Sequence, residues 1–257
     1  MGARALGITG GRLRGPLDTL ALVAGGALIW AAIAMTVGPK VLTGPIETLS
    51  YLGQLLADPD FQASVWETAR AFGLALAIAW SSGLVIGMLL GANRMIGEVA
   101  EPILTALYSI PKITLYPVIL LFFGLGLSAR VAFGAIHGVV PVALFTMAAV
   151  RSIRPIYFRA ARSMRLGPAE IAWHIILPAC LPGIVSGLRI GFSLTLLGTL
   201  IGEMFASQRG LGHLTIKAME TDDTRLLMAL ALLLVTVATS AGAVLLAIDR
   251  RLHRRVS

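Results

Sequence analysis

The stretch RAARSMRLGPAEIAWHIILPACLP, residues 159–182, sets a polar hairpin between two long apolar runs. Arg159, Arg162 and Arg165 lead it, Gly167-Pro168 interrupts it, and Pro178 and Pro182 follow. Pro155 suits the first turn of a helix, and PIYFRAARSMR continues with good helix formers. Ile156, Ala160 and Met164 recur at i, i+4 and form one apolar ridge beside the basic stripe. A helix over 156–166 is expected. Gly167-Pro168 ends it and opens a second, PAEIAWHII, expected to stop before Pro178. Such a loop reads in two ways: a basic anchor on anionic headgroups, or a docking element for a partner. Two capped helices in one loop exceed what an anchor needs, which favours docking.

The flanking composition identifies the solvent. The 257 residues are 57% hydrophobic and 13% charged, with mean hydropathy +0.85. Soluble domains hold about 45–50% apolar and about 25% charged residues, so this much apolar surface requires lipid. The net charge of +8 does not indicate nucleic acid, because the basic residues cluster at the ends of apolar runs, as membrane topology demands. Cys180 is the one cysteine, which excludes an internal disulfide. The opening MGARALGITGGRLRG is basic, but the apolar run after it is long enough to span and shows no clear cleavage site.

About 20 apolar residues cross the hydrocarbon layer. Six segments qualify: 17–37, 65–91, 101–124, 129–150, 179–205 and 225–248. Backbone polar groups in lipid must be satisfied internally, so the expected fold is all-α with six transmembrane helices. Pro111 and Pro117 interrupt the third span, which should break near Lys112. Scattered glycines let helix backbones approach closely. The segment 38–63, rich in Pro, Gly and acidic residues, reads as a surface connection.

Thirteen Lys and Arg flank the ends that carry the termini and the hairpin, among them Arg94, Arg151 and Arg154. Five lie at the opposite ends: Lys40, Arg130, Arg209, Lys217 and Arg225. The positive-inside rule makes both termini and the hairpin cytoplasmic. The chain divides into an N-terminal segment with the first helix and an external loop (1–60), a transporting domain (61–250) and a basic tail (251–257).

No G-x4-G-K-[ST] phosphate loop, HExxH or GxSxG occurs. His137, His174, His213 and His253 lack metal-ligand spacing and read as packed or interfacial residues. An enzymatic reading has no site, no metal and no cofactor in the chain. Four ionisable residues lie in or near the spans and are candidates for a translocation path: Arg70, Lys112, Arg189 and Glu203. Lys112 follows a proline at the helix break, which makes it either a path residue or a lysine snorkelling from a kink. Arg189 lies about ten residues into the fifth span, ~15 Å of helical rise. Glu203 reads as an interfacial carboxylate near the far end, and Arg70 as a residue reaching the headgroups. Three basic groups against one carboxylate make the path electropositive and suited to an anion. A secondary transporter or channel, and a membrane scaffold, remain alternative classes on these residues alone.

The hairpin resembles the EAA loop of permease subunits of ATP-binding cassette importers, E-A-A-x3-G-x9-I-x-L-P. Aligned from Leu177-Pro178, Ala160-Ala161 match the alanine pair and Ile175 the isoleucine. Arg159 stands at the glutamate and Arg165 at the glycine, with Gly167 two residues on. Arg165 is therefore expected to continue the helix. SIPKITLYPVILLFFGLG (109–126) and IGEMFASQRGLGHL (201–214) are similar to segments of the nitrate, sulfonate, taurine and bicarbonate branch. The resemblance implies a bacterial inner-membrane permease that works by alternating access. Its partners would be a second copy of itself, two cytoplasmic ATPases that hold ATP and Mg, and an extracytoplasmic solute-binding protein. It assigns Arg159, Ala160, Ala161, Met164, Arg165 and Gly167 to ATPase coupling.

Overall fold

The computed structural model describes residues 16–38 and 41–256; the basic residues Arg4, Arg12, Arg14 and Lys40 lie outside them. The described residues are mostly helical and contain no strand. In order they are α1 (Pro16–Val37), α2 (Pro45–Ala57), α3 (Pro59–Ala92), α4 (Arg94–Ser109), α5 (Tyr116–Phe123) and α6 (Leu127–Arg151). After them come α7 (Pro155–Ser163), α8 (Pro168–Ile171), α9 (Leu177–Ala206), α10 (Leu211–Glu220) and α11 (Thr224–Val256). Among the described residues five helices are long and apolar enough to cross a membrane, or six if α4 and the Lys112–Phe123 segment, bent at 86°, count together as one span.

The centre of the bundle is α3, α6 and α9, packed through small residues. Gly83, Gly87 and Gly91 repeat every four residues along α3. A Cβ at each would lie 2.6, 2.5 and 2.7 Å from the Cβ atoms of Val142, Thr146 and Val150 on α6. An adjacent stripe of α6 meets Gly183 and Gly187 of α9 through Ala149 and Phe145. Lipid tails are as apolar as Leu, so tight backbone approach, rather than exclusion from water, drives this association. Phe133, Val142, Met147 and Thr195 lie fully inside or nearly so.

Proline, asparagine and glycine set the breaks. Pro59 opens α3 behind Asp58, whose side chain accepts the Asp60 amide. Asn93 divides α3 from α4 by accepting the amides of Met95 and Ile96. Past Ser109 the chain turns by 86° through Ile110-Pro111 and a 3₁₀ turn, Lys112–Leu115. This is the expected break, since Pro111 offers no amide to continue the ladder. Gly124 and Gly126, with φ of 66° and 119°, make the turn into α6.

Three expectations are corrected. The 38–63 segment is not mainly loop: α2 fills its middle, burying Thr48 and Leu52 at i, i+4 while Ile46 and Leu49 stay exposed. The second hairpin helix does not stop before Pro178. From α8 the chain passes through a π-helical turn, Ala172–Ile176, directly into α9, so that Pro178 lies just after the π turn within one helical run. The first hairpin helix is also shorter than 156–166, ending at Ser163.

Candidate coupling hairpin and path residues

The hairpin is a separate amphipathic unit fastened to the bundle. Phe158 and Ile176 pack on a buried cluster of Ala149, Ile153, Cys180 and Ile184, which joins it to the ends of α6 and α9. Ile156, Tyr157, Arg159, Ala160 and Met164 are exposed, and Trp173 projects with 69% of its surface free. Ala161 is 1% exposed and faces the interior of its own chain, so any part it has in docking is indirect. The exposed alanine is Ala160.

Arg165 is not helical. Its φ is 55°, and the Leu166 amide reaches back to the Ala161 carbonyl at 3.1 Å, a left-handed helix C-cap. The residue thus performs the turn that the family's glycine makes easily. Gly167 has no positive φ; its amide is held by the Glu170 carboxylate at 2.7 Å, half of a capping box for α8. Beside the hairpin a cavity of about 1130 Å³ is lined by Met88, Phe145, Phe158 and Ile176, with the ion pair Arg151–Glu101 (2.5 Å) on its wall.

Lys112 occupies the 86° bend. It is 9% exposed; its Nζ donates to the Tyr108 carbonyl at 3.2 Å and lies 5.4 Å from the Tyr108 ring centroid. The lysine therefore caps a carbonyl left free at the end of α4, where a cation also suits the helix dipole. Among the described residues it has no carboxylate in ion-pair range. Below it, Tyr116 stacks edge-on against Phe133 and donates to the Gly202 carbonyl, tying the elbow to α6 and α9. Arg189 is half-buried and Arg70 exposed, and neither forms an ion pair among the described residues.

Glu203, read from sequence as an interfacial carboxylate, is wholly buried within the chain. One carboxylate oxygen accepts the Thr68 hydroxyl at 2.8 Å and the Gly212 amide at 3.0 Å, and the other faces Arg130 Nη1 at 3.6 Å. Arg130 also reaches Glu67 at 3.3 Å. The structure therefore gathers Glu67 and Thr68 of α3, Arg130 of α6 and Glu203 of α9. Sequence reasoning counted Arg130 only as a flanking charge and passed over Glu67 and Thr68, because residues 135 positions apart carry no local signal of contact. The motif IGEMFASQRGLGHL acquires a physical reason here. A Cβ on Gly210 (φ 121°) would lie 2.6 Å from the Glu203 carboxyl carbon, and one on Gly212 would lie 2.7 Å from Glu203 Cβ. His137 is buried, its Nδ1 2.8 Å from the Phe133 carbonyl.

A bundle of spanning helices with one broken span, and a helical hairpin feeding straight into a spanning helix, is the architecture of a multi-pass membrane protein. The chain belongs to the family described as the binding-protein-dependent transport system inner membrane component, which matches residues 83–257. It is 28% identical over 231 residues to the taurine transport system permease protein TauC of Escherichia coli, covering 87% of this chain and 84% of that one. A probable ABC transporter permease protein of Haemophilus influenzae is 30% identical over 181 residues, 70% and 73% of the two chains. The putative aliphatic sulfonates transport permease protein SsuC of Bacillus subtilis is 26% identical, over 87% and 82%. In fold the chain is similar to the inward-facing MetNI methionine ABC transporter, with TM-score 0.61, 22% identity, and coverage of 77% of this chain and 96% of that one. The protein is accordingly a multi-pass inner-membrane permease of the ATP-binding cassette import class.

Proposed function

We propose that the chain forms the membrane path of an importer for a small anionic solute, with α7 and α8 as the element that couples it to ATPases. The observation that carries this reading is the continuity of α8 with α9: a load on α8 passes through the π-helical turn into a helix of the bundle core, while α7 is tied to the same end by the packing of Phe158 on Ala149, Ile153, Cys180 and Ile184. The excess of basic residues at the hairpin end supports a cytoplasmic position for that end and both termini. The functional assembly contains two copies of the chain, two cytoplasmic ATPases carrying ATP and Mg, and an extracytoplasmic solute-binding protein. Residues 61–250 supply the path, preceded by the α1–α2 segment (1–60) and followed by the basic tail (251–257). Arg159, Ala160, Met164 and Arg165 are the hairpin residues available to the ATPase, with Ala161 and Gly167 shaping it.

Anionic selectivity rests on Lys112, a buried ammonium at the broken span without a carboxylate partner among the described residues. The Glu203 charge is already opposed by Arg130, so it does not offset Lys112. Relatives named for taurine and aliphatic sulfonates fit such a path. The test is reconstitution in proteoliposomes with the ATPase and binding protein, using taurine, an alkanesulfonate, nitrate and bicarbonate as solutes. ATP-dependent uptake of one of them is expected. The permease alone should neither bind nor hydrolyse ATP, and turnover by a preparation free of ATPase would overturn the assignment, as would uptake driven by an ion gradient alone.

A further inference from the structure

We propose that Glu203 is a positioning residue for coupled transport. It clamps α10 to the end of α9, so that a solute-binding protein docked on the α10 face acts through α9 on the hairpin. This rests on the importer reading and the orientation proposed above.

The geometry is that of a rod with a handle at each end. Ala169–Ala206 is one continuous helical run of 38 residues, ~57 Å at helical rise. The hairpin occupies one end and Glu203 the last turn of the other. There the chain doubles back into α10, whose N-cap, Gly210, offers no side chain to the free amides. Glu203 and Thr68 replace that cap: Glu203 accepts the Gly212 amide at 3.0 Å, and Thr68 Oγ1 accepts the Leu211 amide at 2.8 Å while donating to Glu203. A negative charge at a helix N-terminus is favourable in itself. Gly210 closes over the carboxylate so tightly that no solute fits beside it.

The arrangement is costly for a merely structural contact. Arg130 Nη1 and Glu203 Oε1 are both buried without a hydrogen bond, facing each other at 3.6 Å. Buried ion pairs of this kind contribute little stability over apolar packing, and their best-attested use is to specify geometry. This one holds the Glu203 carboxylate between α6 and α9, where it and Thr68 accept the amides that place α10 against α3 and α9. The far side of α10 exposes Lys217, Met219 and Glu220, next to exposed Gln208 and Arg209, a mixed-charge surface suited to the polar face of a soluble protein rather than to lipid. The turn after α10 carries a left-handed Asp222 (φ 52°) and is followed by an exposed Arg225–Glu47 ion pair at 2.8 Å that links α11 to α2. Force applied to this surface has a rigid route to α9.

The test uses the complex of permease, ATPase and solute-binding protein in proteoliposomes. Glu203→Gln removes the charge but keeps the shape; Thr68→Val breaks the second half of the clamp and leaves the ion pair intact. Both should retain subunit recovery and basal ATP hydrolysis and lose stimulation by the binding protein by ~5-fold or more, the low end of coupling between distant sites. Amide hydrogen exchange across 208–215 of the purified permease should quicken in both variants. Wild-type stimulation in Thr68→Val would overturn the proposal, as would an equal fall of basal and stimulated hydrolysis or unchanged exchange. If Glu203→Gln does not assemble, Thr68→Val decides alone. A wild-type complex without any stimulation would instead overturn the importer reading, and this proposal with it.

Discussion

The amide of Leu166 donates to the carbonyl of Ala161 at 3.1 Å, closing the first hairpin helix around a left-handed Arg165. A non-glycine residue in that conformation carries a steric cost of roughly 1–2 kcal/mol. The sign of a substitution at this position follows directly.

Arg165→Gly should stabilise the turn by about 0.5–1 kcal/mol, even though glycine loosens an ordinary helix. The reading of Arg165 as helical gives the opposite sign, and its φ of 55° reverses it. Thermal unfolding of the detergent-solubilised permease measures the effect. A lower midpoint in the variant would contradict the left-handed cap.

Ala160→Glu and Ala161→Glu should fail in different ways. Ala161 is 1% exposed, so a carboxylate there must be buried, at a cost of several kcal/mol. The expected result is a loss of folded protein. Ala160 is exposed, so its variant should fold normally and lose association with the ATPase. Recovery of the permease alone, compared with recovery of the complex, separates the two. Equal behaviour of the pair would remove the inside-outside distinction from the hairpin.

Lys112→Met keeps the length of the side chain and removes the charge. If the ammonium meets the solute, transport of an anion should fall by ~10–100-fold, the worth of about 1.5–3 kcal/mol in a charged hydrogen bond. Assembly and basal ATP hydrolysis should persist. Initial uptake rates in proteoliposomes report the outcome, and wild-type rates would leave Lys112 as a helix cap alone.

Gly87→Ala should destabilise the α3–α6 contact by ~1–3 kcal/mol, the usual cost of overfilling a packed interface. The added Cβ would stand 2.5 Å from Thr146 Cβ and 2.6 Å from the Ala143 carbonyl oxygen. Gly25→Ala in α1, with nothing within 4 Å, is the matched control and should be neutral or slightly stabilising. Unfolding midpoints of the two variants in the same detergent provide the comparison, and an unchanged midpoint for Gly87→Ala would show that the helices separate more easily than their spacing implies.

Apolar runs of about 20 residues, Pro111 at the broken span and the paired helices around Gly167-Pro168 were legible from residue order because each is a local property. A helix in lipid must satisfy its backbone within itself, so length and hydropathy alone place it. The left-handed Arg165 and the inward Ala161 were not legible. The inward Ala161 depends on the rotation at which the hairpin meets α6 and α9, which periodicity does not specify; the turn at Arg165 sits at the motif's glycine position but was hidden by a side chain that ordinarily continues a helix. The clamp around Glu203 was hidden for a stronger reason. A carboxylate near the end of an apolar run looks interfacial until Thr68, Arg130 and Gly212 converge on it, and only the packing of four helices brings them there. Sequence by itself determined which segments are long and apolar enough to span and that lipid surrounds them. Tertiary structure decided which of the few charges are exposed to a path or a partner and which are enclosed, because in a membrane protein that choice is made by helix rotation and contact, not by composition.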